Sequence, residues 1–454
     1  MSAPTLPSTA VTTVSPRPHR RGTRVLVAVV VVTLAAGAVG RFLTAGRSGP
    51  GSPRAGAPAP TADPITTLEG RVAANADDAG SWQALAGAYV GRANASGDPA
   101  YYDLARRAAD TARRLAPADP RTSVASAIVA LGVHDFAHAA TDAAAALATD
   151  PIGPDALAAA VDAAVELGHY DDAAALLQRL LDVKPAAPAL ARASYLRELH
   201  GDLPGARATM ARAEQAAGTA GERAGIAAYA GDIALADGDL AAAAAAFDRA
   251  LALSPGHVGA SLGRARVQFA QGDLAGARGA AQAVVDRSPQ PAAAALVADL
   301  ADAAGDTDAA GRARALLTAN TQLAVASGVT VDLEAALEAA DHGDPEQAVT
   351  LAQRAHDTRA TVFTADALGW ALTKAGRPAD ALWYVRESLA LGTANAALHV
   401  HAAVTFAADG QPDLAAAALR TAFALSPWPA FHLRAVAAPL ASTLAVPVPP
   451  MWRL

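Results

Sequence analysis

The sequence of 454 residues contains no cysteine, and aromatic and charged residues are scarce, at 4% and 17% of the chain. Without cysteine the chain has no disulfide, no thiolate metal site and no cysteine nucleophile. The formal net charge of −7 argues against a nucleic-acid partner, because nucleic-acid-binding surfaces are strongly basic. What remains is a chain that is 52% hydrophobic and rich in alanine, the strongest helix former. This composition indicates small, closely packed helices.

The first 65 residues differ from the rest of the chain. Residues 1–24 are rich in proline, serine, threonine and arginine, which predicts a disordered basic N-terminus. Residues 25–45 carry Arg41 as their one charge and would form a helix about 31 Å long, enough to cross a bilayer. Residues 46–65 are rich in proline, glycine and alanine and are typical of a linker. We predict a single-pass membrane protein with its N-terminus in the cytoplasm and the remainder extracytoplasmic.

Two other interpretations of the apolar segment remain open. Small residues at Ala36-Gly37-Ala38 and Ala55-Gly56-Ala57 would also suit cleavage of a signal peptide, after which the protein would be secreted. A buried core helix is the third interpretation, and the basic, proline-rich flanks disfavour it.

A period of 34 residues organises the chain beyond residue 65. Gly238-Asp239-Leu240 recurs as Gly272-Asp273-Leu274, and 272 − 238 = 34; Pro255 recurs as Pro289 with the same spacing. Glycines at comparable turns follow one another through the chain at positions 168, 201, 238, 272, 305, 343, 376 and 410. A fixed period of this length is typical of a stacked helical repeat, in which each helix hairpin packs on the next.

The spacing, the Gly-Asp turn, the small residue five positions after the glycine and the closing proline resemble the tetratricopeptide repeat family. This resemblance implies an all-α, right-handed α-α superhelix (solenoid) of about ten helix hairpins, preceded by the transmembrane helix. The repeats would cover residues 66–427, a capping helix 428–446 and an extended tail 447–454. Residues 92–100 exceed the usual turn of the first unit, and we interpret them as a surface loop.

No motif in the sequence predicts catalysis, and we expect neither an enzyme nor a bound cofactor. Residues 259–263 read Gly-Ala-Ser-Leu-Gly and match the letters of the nucleophile elbow, but that motif needs a strand-to-helix turn. The repeat register instead places Ser261 inside a helix. His134 and His138 are four residues apart, but the register places His134 at a turn, so we predict no metal site.

The resemblance implies that the first helix of each unit lines a concave groove that holds a peptide or a partner helix. Carried onto this register, the groove positions are Asp155, Asp162, Glu166, Tyr195, Glu198, Asp232, Arg266, Asp299, Asp302, Asp366, Trp370 and Lys374. Acidic residues outnumber basic ones here, which favours a basic or apolar segment of a partner. An aromatic residue such as Trp370 could anchor that partner.

The sequence therefore predicts a non-catalytic scaffold for protein–protein interaction, tethered to a membrane by its N-terminal helix. An alternative function is an extracytoplasmic chaperone, or an accessory subunit of a cell-envelope enzyme or transporter.

Overall fold

The computed structural model describes residues 63–453, which form twenty-two α-helices and one short 3-10 helix and contain no β-strand. The all-α class is confirmed. Helix α1, Pro64–Ala74, begins inside the predicted linker because Asp63 caps it, accepting a hydrogen bond from the Ile65 backbone N–H at 3.1 Å. The predicted segments 1–24 and 25–45 lie outside the described residues. No helix within residues 63–453 is long and apolar enough to span a membrane.

Helices α2 to α21 form ten hairpins, which agrees with the predicted number, and we number these hairpins as units 1 to 10. In order, the first and second helices of the units are α2 Ala79–Ser96 and α3 Ala100–Leu115; α4 Pro120–Gly132 and α5 Phe136–Thr149; α6 Pro154–Glu166 and α7 Tyr170–Val183; α8 Ala187–Leu199 and α9 Leu203–Ala216; α10 Ala220–Ala236 and α11 Leu240–Leu253; α12 Val258–Ala270 and α13 Leu274–Arg287; α14 Pro291–Ala303 and α15 Thr307–Ala326; α16 Asp332–His342 and α17 Pro345–Thr358; α18 Val362–Lys374 and α19 Pro378–Ser388; α20 Ala396–Ala408 and α21 Pro412–Leu425.

The turn inside each hairpin explains the recurring Gly-Asp pair. In unit 5, Gly238 adopts φ 81°, a left-handed conformation that glycine takes without strain, and Asp239 then caps α11 by accepting from the Ala242 N–H at 2.9 Å. Seven of the eight predicted turn glycines have a positive φ, and Gly343 is the exception at −112°. In unit 2 His134 stands where a turn glycine is expected and adopts φ 61°.

Glycine also permits close packing between neighbouring units. Phe247 of α11 is fully buried against Gly231 of α10 and Gly263 of α12. A Cβ atom at either glycine would lie 2.6 or 2.3 Å from the Phe247 ring, closer than atoms pack in proteins. Gly231 thus admits the neighbouring helix α11, and Gly263 admits the same ring from the other side.

The array winds so tightly that successive superhelical turns touch. The turn inside each of units 1 to 4 contacts the loop that precedes the first helix six units further on, and the turn inside unit 5 contacts the loop before the C-terminal helix, Phe431–Thr443. The residues joined by these hydrogen bonds are 190 to 197 positions apart. The contacts are Ser288 Oγ with Ser96 O at 3.2 Å, Thr330 N with Val133 O at 3.0 Å, Val362 N with the Tyr170 hydroxyl at 3.2 Å, Thr393 Oγ1 with Leu199 O at 2.6 Å, and Trp428 Nε1 with Gly238 O at 2.8 Å.

Residues 92–100 take part in this winding. They were predicted to be a surface loop, and this interpretation is wrong, because α2 continues to Ser96 and ends at Gly97. Gln290 Nε2, at the start of unit 7, donates to Ala95 O at 2.9 Å. The additional residues therefore lengthen a helix and bring its end against the next superhelical turn.

The C-terminal segment folds onto unit 10. The predicted capping helix is α22, Phe431–Thr443, and a 3-10 helix, Pro450–Trp452, follows it. Trp452 is fully buried, its ring centroid lies 4.8 Å from that of Phe423, and its indole N–H donates to Ser426 O at 2.9 Å. The prediction of an extended tail is therefore wrong for residues 450–452, which form a 3-10 helix because the buried Trp452 fastens the end of the chain to unit 10.

Candidate functional site

The predicted groove residues lie on the first helices of the units, but most of them are covered. Seven of the twelve are buried in this tightly wound array: Asp162, Glu166, Tyr195, Asp232, Asp299, Asp366 and Trp370. Three are half-buried, Glu198, Arg266 and Asp302, whereas Asp155 and Lys374 are exposed. Binding of a partner at these positions stays a prediction, and for the buried seven it would require the surrounding contacts to open.

Neighbouring units join several of these residues in pairs. The Arg192 guanidinium contacts Asp162 through two hydrogen bonds of 2.8 and 2.6 Å, and both side chains are buried. Arg266 Nη1 lies 3.2 Å from Asp232, and Glu198 accepts a hydrogen bond from the Tyr229 hydroxyl. Because buried charges are costly unless they are paired, these contacts hold successive units in register.

Glu166 is held from the next superhelical turn. Arg359, in the loop before α18, donates to its carboxylate at 2.7 Å, with both side chains at most 10% exposed. Burial nevertheless raises the pKa of Glu166 to about 7, against the opposing effect of Arg359. A residue predicted to meet a partner therefore links unit 3 to unit 9.

Trp370 lies at the centre of a buried cluster of units 8 to 10. Its ring stacks on His401 with centroids 4.3 Å apart, and its indole N–H donates to Asp341 at 3.0 Å. Burial raises the pKa of Asp341 to about 6. Burial opposes protonation of His401, but the charge and hydrogen bond of Asp366, 2.9 Å away, raise the pKa of His401. Lys374 lies 5.2 Å above the indole ring, at the exposed edge of the cluster.

Helix α22 covers the concave surface of units 6 to 10, which we call the C-terminal seat. Asp299 of α14 accepts hydrogen bonds from the backbone N–H groups of Phe431 and His432 at 3.1 and 2.9 Å, and its Oδ1 lies 2.9 Å from the His432 imidazole. Arg434 lies over the ring of Phe269 of α12, 4.6 Å from its centroid. Val436 packs against the apolar cluster around Leu337, Leu368 and Trp370, and α20 completes the seat.

A cavity of about 1050 Å³ remains open at the other end of the array, and we call it the N-terminal groove. It is lined by α1 and by the concave sides of α2, α4, α6 and α8. Its floor consists mainly of small or apolar residues, among them Gly87, Ala88, Val124, Ile128 and Ala158. Five cationic and four acidic side chains line it: Arg71, Arg92, Arg121, Lys184 and Arg192, and Asp63, Asp150, Asp155 and Glu222. The groove is therefore apolar at its floor and nearly neutral at its rim.

The surroundings of Ser261 do not have the geometry of a nucleophile elbow. Ser261 lies inside α12, where its hydroxyl donates to His257 O at 3.1 Å, so the strand-to-helix turn of a nucleophile elbow is missing here. In the part of the chain that the structure describes, no group of three His, Cys, Asp or Glu side chains is placed to bind a metal ion.

Several residues that shape these surfaces were not predicted. Arg192, Arg359, His432 and Trp452 complete buried pairs or fix the C-terminus. The sequence does contain one signal for such pairs, since Asp232 and Arg266 are one repeat of 34 residues apart. The partners of Glu166 and Asp299 are 193 and 133 positions away and carry no such signal.

Comparison with known families supports the repeat assignment. Two family models, both described as tetratricopeptide repeat, match residues 158–221 and 234–300, which are units 3 to 4 and most of units 5 to 7. These two segments of the chain match the tetratricopeptide repeat. A search of curated proteins gave no match.

Solved structures of tetratricopeptide repeat and related helical proteins are similar to this chain at low identity. TTC0263, a protein of Thermus thermophilus, is 22% identical over 34% of this chain and 84% of its own, with a TM-score of 0.32. The type IV pilus biogenesis factor PilW is 22% identical over 45% of this chain and 94% of its own, with a TM-score of 0.38. The Cut9–Hcn1 structure is 14% identical over 83% and 92%, with a TM-score of 0.36. At these scores the likenesses carry no functional argument.

Proposed function

We propose that the protein is an interaction scaffold that binds a segment of a partner protein in the N-terminal groove. The observation that carries this proposal is the open cavity of about 1050 Å³ on the concave side of units 1 to 4. Repeat arrays of this kind present extended concave surfaces, and an apolar floor with a charged rim suits a helix or an extended peptide.

The lining of the groove favours an apolar segment over a strongly charged one. Three of the five lining cations are already paired with acidic side chains, Arg92 with Asp63, Arg121 with Asp119 and Arg192 with Asp162. A strongly charged partner would meet a rim in which both signs are present, and would gain little from it. A segment with small or apolar side chains would fit against Gly87, Ala88 and Val124.

The proposal includes a membrane tether at residues 25–45, with the repeats outside the cytoplasm. Its support is the length and apolar character of that segment in the sequence. Reporter fusions at the C-terminus, active on one side of a membrane only, would test the orientation. A reporter active in the cytoplasm would contradict it.

The binding proposal is tested by photo-crosslinking in the full-length chain. A photoreactive residue at position 84, which faces the groove, should give an adduct of discrete mass with a partner. The same probe at position 279, on the outer helix α13, is the control. Gly87→Trp places an indole in the groove, at a position where a Cβ meets no atom within 4 Å, and it should abolish the adduct.

The matched control for that substitution is Gly279→Trp, where a Cβ is equally free of contacts. It should leave the adduct at position 84 unchanged. Equal adducts from both probe positions, or an adduct that persists in Gly87→Trp, would contradict binding in the groove.

A further inference from the structure

Helix α22 contacts the array in two places that are far apart in sequence. It packs on α20 and α14 to a similar extent and less on α21, the helix that immediately precedes it. Ala437 and Ala441 are fully buried in the cluster formed with α20 and α21. A helix that only covered the last unit would not reach α14 of unit 7, so α22 lies across the concave surface.

The seat supplies the hydrogen bonds that the start of α22 lacks. The first turn of a helix has backbone N–H groups without partners inside the helix. The residue before α22, Ala430, provides no side-chain cap, and Asp299 of the seat accepts the N–H groups of Phe431 and His432 instead. A carboxylate beside a helix N-terminus is also favoured by the helix dipole. Asp299 thus recognises a helix start together with an imidazole.

The surface around α22 is unusually polar for the interior of a protein. Protein cores are apolar, and buried polar atoms almost always have hydrogen-bond partners. Among the described residues, buried polar atoms of Asp341, His342, Arg314 and Arg434 have none. Aromatic residues are enriched at surfaces that bind a protein partner, and the first helices contribute Phe269 and Trp370 to the seat. The packing of α22 therefore leaves part of this surface unsatisfied.

The sequence of α22 makes it a weak helix for a permanent core element. Pro439 lies inside the helix, where it has no N–H to donate and disrupts the regular backbone bonding. Its ends are nevertheless held: Trp428 donates to Gly238 O at 2.8 Å, and Trp452 is buried in unit 10. An internal segment held at both ends competes at a high effective concentration with any ligand from outside.

We propose that the C-terminal seat is a second helix-binding site, and that α22 is its built-in, displaceable occupant. The partner that fits is a helix whose first turn offers free N–H groups and an imidazole to Asp299. A basic side chain two residues after that imidazole would lie over Phe269, and alanine-sized residues would face α20. This site is separate from the N-terminal groove and does not depend on a partner there.

The test uses the full-length chain and a fluorescent synthetic peptide with the sequence of residues 428–446, followed by fluorescence anisotropy. Ala437→Glu in the chain should expel α22, because it places a charge at a fully buried position, while leaving the seat residues intact. The variant should bind the peptide at least about tenfold more tightly than the wild-type chain does, because the tethered competitor is removed.

Adding Asp299→Asn to that variant should weaken peptide binding at least about tenfold, because a neutral amide accepts the helix-start N–H groups less strongly. The control is Gly279→Glu on the outer surface, which should bind the peptide as weakly as the wild type does. If the Ala437→Glu chain remains folded by circular dichroism and binds the peptide no better than the wild type does, the proposal is wrong.

If Ala437→Glu fails to fold, hydrogen exchange of the wild-type chain tests whether α22 is displaceable. A displaceable α22 should open by itself, so its amides should exchange at least about a hundredfold faster than those of α14 and α20. Exchange of all three helices through one common opening, with the same dependence on denaturant, would show that α22 is an integral part of the fold and would overturn the proposal.

Discussion

The two concave surfaces of this molecule are built from the same repeat but are in opposite states. The N-terminal groove has a floor of alanine, glycine and valine and is open, whereas the C-terminal seat is charged and aromatic and is covered by α22. The difference in accessibility does not come from the backbone of the hairpins, which is alike in both halves. It comes from the segment after the last hairpin and from the winding that brings distant units together. A repeat signature therefore indicates a concave surface but does not show whether that surface is accessible.

The largest expected effect concerns the residue that fastens the covered end. Trp452→Ala removes a fully buried indole and should lower the stability of unit 10 by about 3–5 kcal/mol. Hydrogen exchange should show the loss in α20 to α22 and leave units 1 to 4 unchanged. Trp383→Ala, at a site 70% exposed, is the control and should change stability by less than about 0.5 kcal/mol. Equal effects of the two substitutions would contradict the assigned role of Trp452.

The contact between unit 3 and unit 9 should be nearly as important. Arg359→Met leaves Glu166 buried without its partner and should cost about 3 kcal/mol or more near pH 8. The pKa of Glu166 is raised to about 7, above its ordinary value, so its proton favours the folded state at low pH, and this contribution is lost as the pH rises through 7. The cost of the substitution should therefore shrink as the pH falls, when Glu166 accepts a proton.

Urea denaturation at several pH values measures this cost. The control is Arg354→Met, because the Arg354 side chain is 58% exposed and its ion pair with Asp332 should contribute less than about 1 kcal/mol. A loss for Arg359→Met that does not depend on pH would show that Glu166 is not the group left unpaired.

A smaller effect on stability should distinguish the contact between superhelical turns from the conformation of the hairpin turn. Gly168 and Gly272 both have a positive φ, but a Cβ at Gly168 would lie 2.2 Å from the Ala360 carbonyl oxygen of the next superhelical turn, whereas one at Gly272 meets nothing within 4 Å. Gly272→Ala should cost about 1 kcal/mol from backbone strain. Gly168→Ala should cost about 2–4 kcal/mol, because the overlap adds to the strain. If thermal denaturation shows equal losses of stability for the two variants, the contact between superhelical turns does not contribute to stability at Gly168.

The smallest effect is a pH dependence in the covered half. The pKa of Asp341 is raised to about 6 from an ordinary value of 3.8, so its contribution to the unfolding free energy is present at low pH and is lost as the pH rises through 6. Asn at this position can still accept the hydrogen bond from Trp370 but does not titrate. The stability difference between Asp341→Asn and the wild type should change by about 1–3 kcal/mol between about pH 4 and pH 7. A constant difference over that range would contradict the raised pKa.

The hairpins could be predicted from the sequence because each depends on neighbours within one repeat. Gly238 and Asp239 specify a left-handed turn and a helix cap, and Phe247 packs on glycines of the same and the next unit. These signals are local and repeat along the chain, so ten hairpins and most of their turns were expected. Gly343 shows the limit, because the residues after it, Asp344 and Pro345, start the next helix without a left-handed turn.

The state of the predicted site could not be read from the same signals. Whether Glu166 meets solvent or Arg359 depends on how many units complete one superhelical turn, and a small change of angle per unit adds up over six units. The repeat register placed Asp299 and Trp370 on the concave side, but the chain's own C-terminal helix was expected only to cap the last unit. The position of α22 depends on Asp299 and His432, 133 residues apart, which no local pattern connects.

The regular spacing of the contacts between superhelical turns restricts how this chain can evolve. Repeat proteins commonly grow or shrink by whole repeats, because each repeat contacts only its neighbours. Here an added or deleted hairpin between units 5 and 6 would move all five turn-to-turn hydrogen-bonded contacts out of alignment together. A protein that gained or lost a hairpin at that point would need new residues on both sides of the contacts between superhelical turns. We therefore expect the number of repeats in close relatives to vary at the ends of the array and not in its middle.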